Sequence, residues 1–441
     1  MKKSTLVVLA LAIALGAFVY FYDSKHNTAT PSEEASWKAA FTVKADEITG
    51  LTLKSASGDI ALAKEGNSWM ITQPVETRAD QSTISGIVND LSGIKIRRSF
   101  AASDSLSKYG LDQPAVTIEF QPKSGAEHTI LLGSKDFSGS VVYAQIDGGK
   151  DIDTLPVSLL DETAQPLSKL RDSSILDLNG AEITGITLDD PNGKISLAKQ
   201  TPGWQITNPK QLVADSSAVD SFSSSISSGK FTDVASETAN DLAKYGLVHP
   251  AVTLDLSTAK GQKFQLLVGK KNADNNYYAH DPSRPMIFVV PSSVYDSINK
   301  TLFDFRDKTI LHFDPTTLTS VQIQNSNGTI ECSQGKDGQW TMVQPAASKG
   351  KSIQDWKILD PIEDARATKI YDSPTAAILQ HLKKPEITVT LTEKSGRTTT
   401  VEISAAAGDS VYARTSASPE VYELKTQILK DLGFKAADLI L

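Results

Sequence analysis

From about residue 41 onward, the chain is written in short runs where apolar and polar positions alternate, separated by Gly, Asn or Asp, with a few longer stretches of helical spacing between them. A period of two places every second side chain on one face, so each run predicts a half-buried strand. Leu51 and Leu53, Ile60 and Leu62, then Trp69 and Ile71 predict a three-stranded meander. Asp80 follows as an N-cap, its short carboxylate suited to accept from the open amides of a first helical turn. Ile84, Ile87, Val88 and Leu91 then fall on one helical face. A strand over 94–100 leads to a short helix ending at Tyr109-Gly110, where glycine can take the left-handed conformation that stops a helix. Segments 115–120, 129–132 and 141–146 predict a second meander, closed by a helix over 157–170. The order is βββ-α-β-α-βββ-α, an α+β unit of ordinary domain size.

This order recurs. Glu47-Ile48-Thr49-Gly50 returns as Glu182-Ile183-Thr184-Gly185, an interval of 135 residues. Lys108-Tyr109-Gly110-Leu111 with Pro114-Ala115-Val116-Thr117 returns as Lys244-Tyr245-Gly246-Leu247 with Pro250-Ala251-Val252-Thr253. Trp69, Trp204 and Trp340 align, each followed five positions later by Pro74, Pro209 or Pro345. In the third segment Cys332 takes a place held by Leu62 and Leu197, and His381 takes the place of Tyr109 and Tyr245. A constant interval predicts three tandem repeats, at 41–172, 173–308 and a divergent 309–441. Alternation with aliphatic residues assigns Trp69, Trp204, Trp340 and Cys332 to the repeat cores. Trp37 and Trp356 stand outside that pattern and are the candidates for surface contacts.

The N-terminus has a different texture. Lys2 and Lys3 precede an uncharged, mostly apolar run from Ser4 to Tyr22, long enough as a helix to cross the ~30 Å hydrocarbon layer of a bilayer. The run closes on Phe18, Val19, Tyr20, Phe21 and Tyr22, which suit a membrane interface better than a signal-peptidase site. Residues 1–22 are therefore expected to be a signal-anchor helix, with 23–40 as a polar tether. The lysines predict a cytoplasmic N-terminus, a single pass through a bacterial inner membrane and periplasmic or extracytoplasmic repeats.

Composition narrows the chemistry. A formal charge of −8, with both signs mixed along the chain, lacks the basic stripe that neutralises phosphates, so nucleic acid is not an expected partner. One cysteine excludes an intramolecular disulfide and a Cys-based zinc site. His26, His128, His249, His280, His312 and His381 are scattered without ligand spacing. Asp189-Asp190-Pro191-Asn192-Gly193 reads as a turn between strands, and no nucleophile elbow is present. No catalytic, metal or cofactor site is expected.

The most informative charged residues are Arg171-Asp172 and Arg306-Asp307, again 135 residues apart and each directly before the next repeat. The third repeat ends in Phe434-Lys435-Ala436-Ala437 without the pair, so the sequence predicts a role at the joint between repeats. The N-terminal run, the Ile-Thr-Gly-Leu opening, the Trp-x-Ile-Thr-x-Pro strand end, the Lys-Tyr-Gly-Leu-x-x-Pro-Ala-Val-Thr turn and the closing Arg-Asp resemble the bacterial domain-of-unknown-function family 4340. That resemblance implies company with ABC-transporter components similar to the gliding-motility type. The expected function is a non-enzymatic extracytoplasmic accessory or scaffold that partners inner-membrane transporter or envelope proteins. The alternative is a periplasmic binding module for cell-envelope polysaccharide or peptidoglycan.

Overall fold

The computed structural model describes residues 37–102 and 105–441. The chain divides into two compact units, Met1–Ser174 and Ile175–Leu441. The signal-anchor helix expected over 1–22 and nearly all of the tether lie outside the described residues. Among the described residues no helix is long and apolar enough to cross a membrane. The structure is mixed α and β, mostly strands in several sheets with few helices.

In the first unit, strands β1 (Lys38–Ala39), β2 (Ile48–Ser55), β3 (Gly58–Glu65), β4 (Ser68–Gln73) and β5 (Thr77–Arg78) precede helix α1 (Gln81–Gly93). Strands β6 (Lys95–Ile96), β7 (Arg98–Ala101), β8 (Val116–Pro122), β9 (His128–Lys135), β10 (Val141–Ile146) and β11 (Asp151–Pro156) follow, then helices α2 (Val157–Thr163) and α3 (Leu167–Leu170). The two meanders are halves of one antiparallel sheet, ordered β5-β4-β3-β2-β8-β9-β10-β11-β7. They join where β2 pairs with β8, with Leu51 opposite Phe120 and Leu53 opposite Ile118.

The second unit holds two further sheets. One runs β15-β14-β13-β12-β17-β18-β19-β20-β16, from β12 (Ile183–Asp190), β13 (Gly193–Lys199), β14 (Trp204–Asn208), β15 (Leu212–Val213), β16 (Asp233–Ser236), β17 (Val252–Thr258), β18 (Lys263–Lys271), β19 (Tyr277–His280) and β20 (Ile287–Val290). Its helices are α4 (Ser216–Ser228), α5 (Ser292–Ile298) and α6 (Leu302–Phe305). The other runs β23-β22-β21-β25-β26-β27-β28-β24, from β21 (Leu318–Asn325), β22 (Gly328–Gln334), β23 (Trp340–Gln344), β24 (Lys369–Tyr371), β25 (Ile387–Glu393), β26 (Thr398–Ile403), β27 (Ser410–Thr415) and β28 (Val421–Lys425). With it come α7 (Trp356–Glu363), α8 (Ala376–His381), α9 (Gln427–Asp431) and α10 (Ala436–Leu439).

One face of each sheet is closed by helices, and the cores form there. Asp80 caps α1 by accepting from the Thr83 amide at 2.8 Å, and Asp215 caps α4 from the Ala218 amide at 3.1 Å. Ile84, Ile87, Val88 and Leu91 of α1, and Val219, Phe222 and Ile226 of α4, are buried against the strands. Trp69, Trp204 and Trp340 are only 3%, 3% and 6% exposed, within these cores. Cys332 is fully buried, its Sγ 3.8 Å from Met342 Sδ. Burial pushes that thiol up to about 12, which keeps it protonated and unreactive.

Several elements differ from the expected order. Each opening meander in the first two sheets gains a short fourth strand, β5 or β15, and the closing meander gains β11, β20 or β28. The residues of β11 and β20 are buried on both faces, as in the run Ile287–Val290, so the period-two signal is absent there. The helix expected over 157–170 is two short helices separated at Pro166, whose ring cannot continue a helix. The short helix at Tyr109 is a single tight turn, Leu106–Tyr109. The tether expected to reach residue 40 stops sooner, because Lys38 and Ala39 pair with Ile96 and Lys95.

Gly110 and Gly246 take the left-handed conformation, at φ 69° and 73°, where they end those turns. Each turn lies on a strand glycine. A Cβ on Gly133 would stand 2.1 Å from the Tyr109 carbonyl oxygen, and one on Gly269 would stand 2.2 Å from that of Tyr245. Gly269→Ala is therefore expected to lower the unfolding free energy by about 1–3 kcal/mol, and Trp204→Ala by about 3–5 kcal/mol. Urea titration followed by circular dichroism measures both, and a Gly269→Ala midpoint equal to wild type would contradict the close approach.

Candidate functional site

The Arg-Asp pairs sit where each sheet's chain comes back to the start of its own long helix. The Asp80 amide donates to the Leu170 carbonyl at 2.7 Å, and the Asp172 amide donates to that of Arg78 at 3.0 Å. The second sheet repeats this, with Asp215 donating to Phe305 at 2.8 Å and Asp307 to Val213 at 3.1 Å. The third sheet closes in the same manner, with Gln354 donating to Leu439 at 2.8 Å and Leu441 to Ser352 at 3.1 Å. Ile440 and Leu441 thus stand in the backbone place of Arg-Asp, six and seven residues past Phe434 and outside the segment 434–437.

The two members of each pair have separate tasks. Asp172 accepts from the amide and hydroxyl of Ser174, at 2.9 and 2.7 Å, which turns the chain sharply. Asp307 accepts from the Thr309 amide at 2.9 Å and is paired with the His312 ring. Burial raises the Asp307 carboxyl, but these hydrogen bonds outweigh it and hold the group below its ordinary value. The arginines are buried, Arg171 at 4% and Arg306 at 7% exposure. Arg306 Nη1 donates to Asp372 Oδ1 at 2.7 Å, and Nη2 reaches Glu420 Oε1 at 3.5 Å. Lys210 Nζ joins the same Asp372 oxygen at 2.7 Å. A guanidinium from the end of the second sheet's chain thereby meets carboxylates beside β24 and β28 of the third.

Spacing of the Arg-Asp motif could not reveal Asp372 and Glu420, which lie 66 and 114 residues from Arg306. One signal was available, since Glu237 stands 135 residues before Asp372 while Ala102 stands at the corresponding position of the first segment.

Other candidate residues do not converge. His128 pairs with Asp147 at 2.8 Å, His280 Nδ1 lies 3.0 Å from the Met286 carbonyl, and His381 tilts against the Tyr412 ring at 5.0 Å. Asp190 accepts from the Asn192 amide at 2.7 Å and forms the expected strand turn. Among the described residues no three His, Cys, Asp or Glu side chains are placed to hold a metal ion. A carboxyl pair that the sequence did not suggest lies between α1 and α2, where burial, then a hydrogen bond with Asp90, pushes Glu162 up to about 7.

Two segments, 69–205 and 204–381, match the family described as "Domain of unknown function (DUF4340)". The chain belongs to this family. Each match begins at one of the aligned tryptophans, Trp69 or Trp204, in the strand where the opening meander turns towards its helix. Among curated proteins no match is found.

The buried guanidinium carries a pH signature. Burial raises the Asp372 carboxyl, but the hydrogen bonds from Lys210 and Arg306 prevail and hold it below the ordinary 3.8. The unfolded chain then takes up a proton before the folded one does, so this contribution is present above the ordinary value and is lost as pH falls through the depressed one. Unfolding monitored between neutral pH and strong acid is expected to show an acid limb that Asp372→Asn flattens. At neutral pH, Arg306→Ala is expected to cost about 1.5–3 kcal/mol by denaturant titration, with Arg306→Lys intermediate because an ammonium cannot reproduce the two-pronged contact. Equal stability of Arg306→Ala and wild type would remove the energetic role.

Proposed function

We propose that this protein is a non-enzymatic extracytoplasmic accessory or scaffold of a membrane complex of the ABC-transporter type, built from three copies of one α+β unit and held to a bacterial inner membrane by residues 1–22. The observation that carries the reading is the recurrence of sheet order and closure. Three sheets with matching strand order each return their chain end to the start of their own helix, and the recurring Arg-Asp motif lies at that closure. In the Arg306 case the motif links two sheets through Asp372 and Glu420. Charged side chains used in this way hold modules at fixed geometry, which is the task of a scaffold. The repeat boundaries are 41–172, 173–308 and 309–441, and Arg171 and Arg306 are the junction residues. The membrane complex comes from the resemblance to family 4340, with the apolar run Ser4–Tyr22 as the link to the bilayer.

The second reading, a module that binds envelope polysaccharide or peptidoglycan, draws on the indole of Trp356, which is 48% exposed. The aligned tryptophans give it no support, being enclosed in the cores.

The tagged full-length chain, crosslinked in intact cells and recovered in mild detergent, is expected to bring down an ATPase and a permease subunit identified by mass spectrometry. Recovery of the chain without either subunit would overturn the accessory reading. Retention on purified cell-wall sacculi in their absence would put the binding module in its place.

A further inference from the structure

Trp356, set apart by the sequence, opens α7 and forms one wall of a groove of about 520 Å³ between α7 and α9. Its floor is apolar, made by Ala365, Leu424 and Ile428, all buried. Its rim carries Asp360, Asp364 and Asp431. Two cations also line it, Arg366 and Lys425. Arg366 is committed to the end of α7, donating from Nη1 to the carbonyl oxygens of Glu363 at 2.6 Å and Ala365 at 3.3 Å. An indole face, an apolar floor and an acidic rim together favour a cation carried on an aliphatic stem.

The first unit shows a related arrangement at its own helix pair, with an indole that comes from a different position, Trp37 just ahead of β1. Between α1 and α2 lies a smaller groove of about 230 Å³, lined by Trp37, Asp90, Lys95 and Leu159 among others. The Arg97 guanidinium sits 4.6 Å above the Trp37 ring. Arg97 and Thr368 hold matching stations, since the amide of each donates to the last strand of the closing meander, to Thr154 at 3.0 Å and to Glu423 at 2.8 Å. Thr368 brings no charge, and its hydroxyl donates to the Glu423 carbonyl at 3.0 Å. The indole beside the helix pair of the first unit is thus covered by an arginine, whereas Trp356, set at a different position beside the corresponding helix pair, is half exposed. This comparison rests on the equivalence of the sheets put forward above, but the groove itself does not.

We infer that the groove between α7 and α9 is a docking site for an extended basic segment of a partner protein, with an Arg or Lys side chain laid on Trp356 and paired with Asp360, Asp364 and Asp431. Neighbouring apolar residues of that segment would cover Leu424 and Ile428. A neutral sugar would use the indole equally well, but it gains less from the three carboxylates around an apolar floor.

The test uses the full chain in detergent micelles and a fluorescein-labelled peptide, Ala-Leu-Arg-Ala-Leu-Arg-Ala, followed by anisotropy. Saturable binding that weakens with added salt is expected, with a Glu-for-Arg peptide inert. Trp356→Ala is expected to weaken it by about tenfold or more, as for a central aromatic anchor. Trp356→Phe should fall between, because phenylalanine presents a weaker ring face to a cation. The double variant Asp360→Asn, Asp431→Asn should lose both affinity and salt dependence while keeping the wild-type melting curve, which separates docking from folding. No binding by the wild-type chain, or unchanged affinity in the Trp356 and aspartate variants, would overturn the inference. Trp356-dependent binding of cellotetraose without peptide binding would also overturn it. None of these readouts involves transporter subunits, so failure here and failure of the accessory reading are separately visible.

Discussion

Pairing of the first strand of each opening meander with the first strand of each closing meander is the constraint from which the architecture follows. In the first sheet β2 meets β8 over Leu51–Phe120 and Leu53–Ile118, in the second β12 meets β17 over Ile186–Leu256 and Leu188–Leu254, and in the third β21 meets β25 over Val321–Leu391 and Ile323–Val389. An isolated meander of three or four strands would have two open edges and little to bury. Joined, two meanders give an eight- or nine-stranded sheet wide enough to carry a helix-covered core. Shifting that register by one residue would turn all the central apolar residues to the opposite face.

The joined sheet also determines where the chain can go next. The long helix after the opening meander and the short helices after the closing one share a face, so the chain end arrives beside the helix start. Backbone hydrogen bonds at Asp80, Asp215 and Gln354 record that return in all three sheets. The residue at the return is held extended and partly enclosed, a position from which a long side chain can reach outward. Arginine there gains from its planar, multiply donating head, because a buried guanidinium needs several acceptors at once. Arg306 finds them in Asp372 and Glu420. The third sheet closes with Ile440 at this station, and that side chain packs against the core instead.

Differences between the sheets arise from the same frame. The station near the turn after the edge strand is Tyr109 against Tyr143, Tyr245 against Tyr278, and His381 against Tyr412, with ring centres 5.1, 4.9 and 5.0 Å apart. Ring contact is retained while the chemistry of one partner changes. The first two sheets bring glycine to glycine-sized space at this turn, and the third, which has Leu382 where Gly246 stands, buries a leucine. A core station therefore tolerates replacement where contact is kept, as at Cys332, smaller than leucine but with its Sγ 3.8 Å from Met342 Sδ.

Local pattern was enough for whatever depends on nearest neighbours along the chain. The alternating runs, the caps Asp80 and Asp215, the helical stripe through Ile84, Ile87, Val88 and Leu91, and the burial of Trp69, Trp204, Trp340 and Cys332 could all be read directly, because a strand or helix face is set by a period of two or 3.6 residues. Membership in the family was legible for a related reason, since its motifs are short and contiguous. The strands β11 and β20 were not legible, as burial on both faces erases the alternation that marks a strand. Neither was the merging of two meanders into one sheet, nor the partners of Arg306, nor the groove beside Trp356. Each of these is made by residues tens to a hundred positions apart, brought together only when the central strands pair. Sequence by itself determined which stretches are strands, helices and buried faces, through periodicity acting over a few residues. Tertiary structure alone decided which charges meet and which indole stays open, because those outcomes depend on distances across the sheet that no interval along the chain encodes.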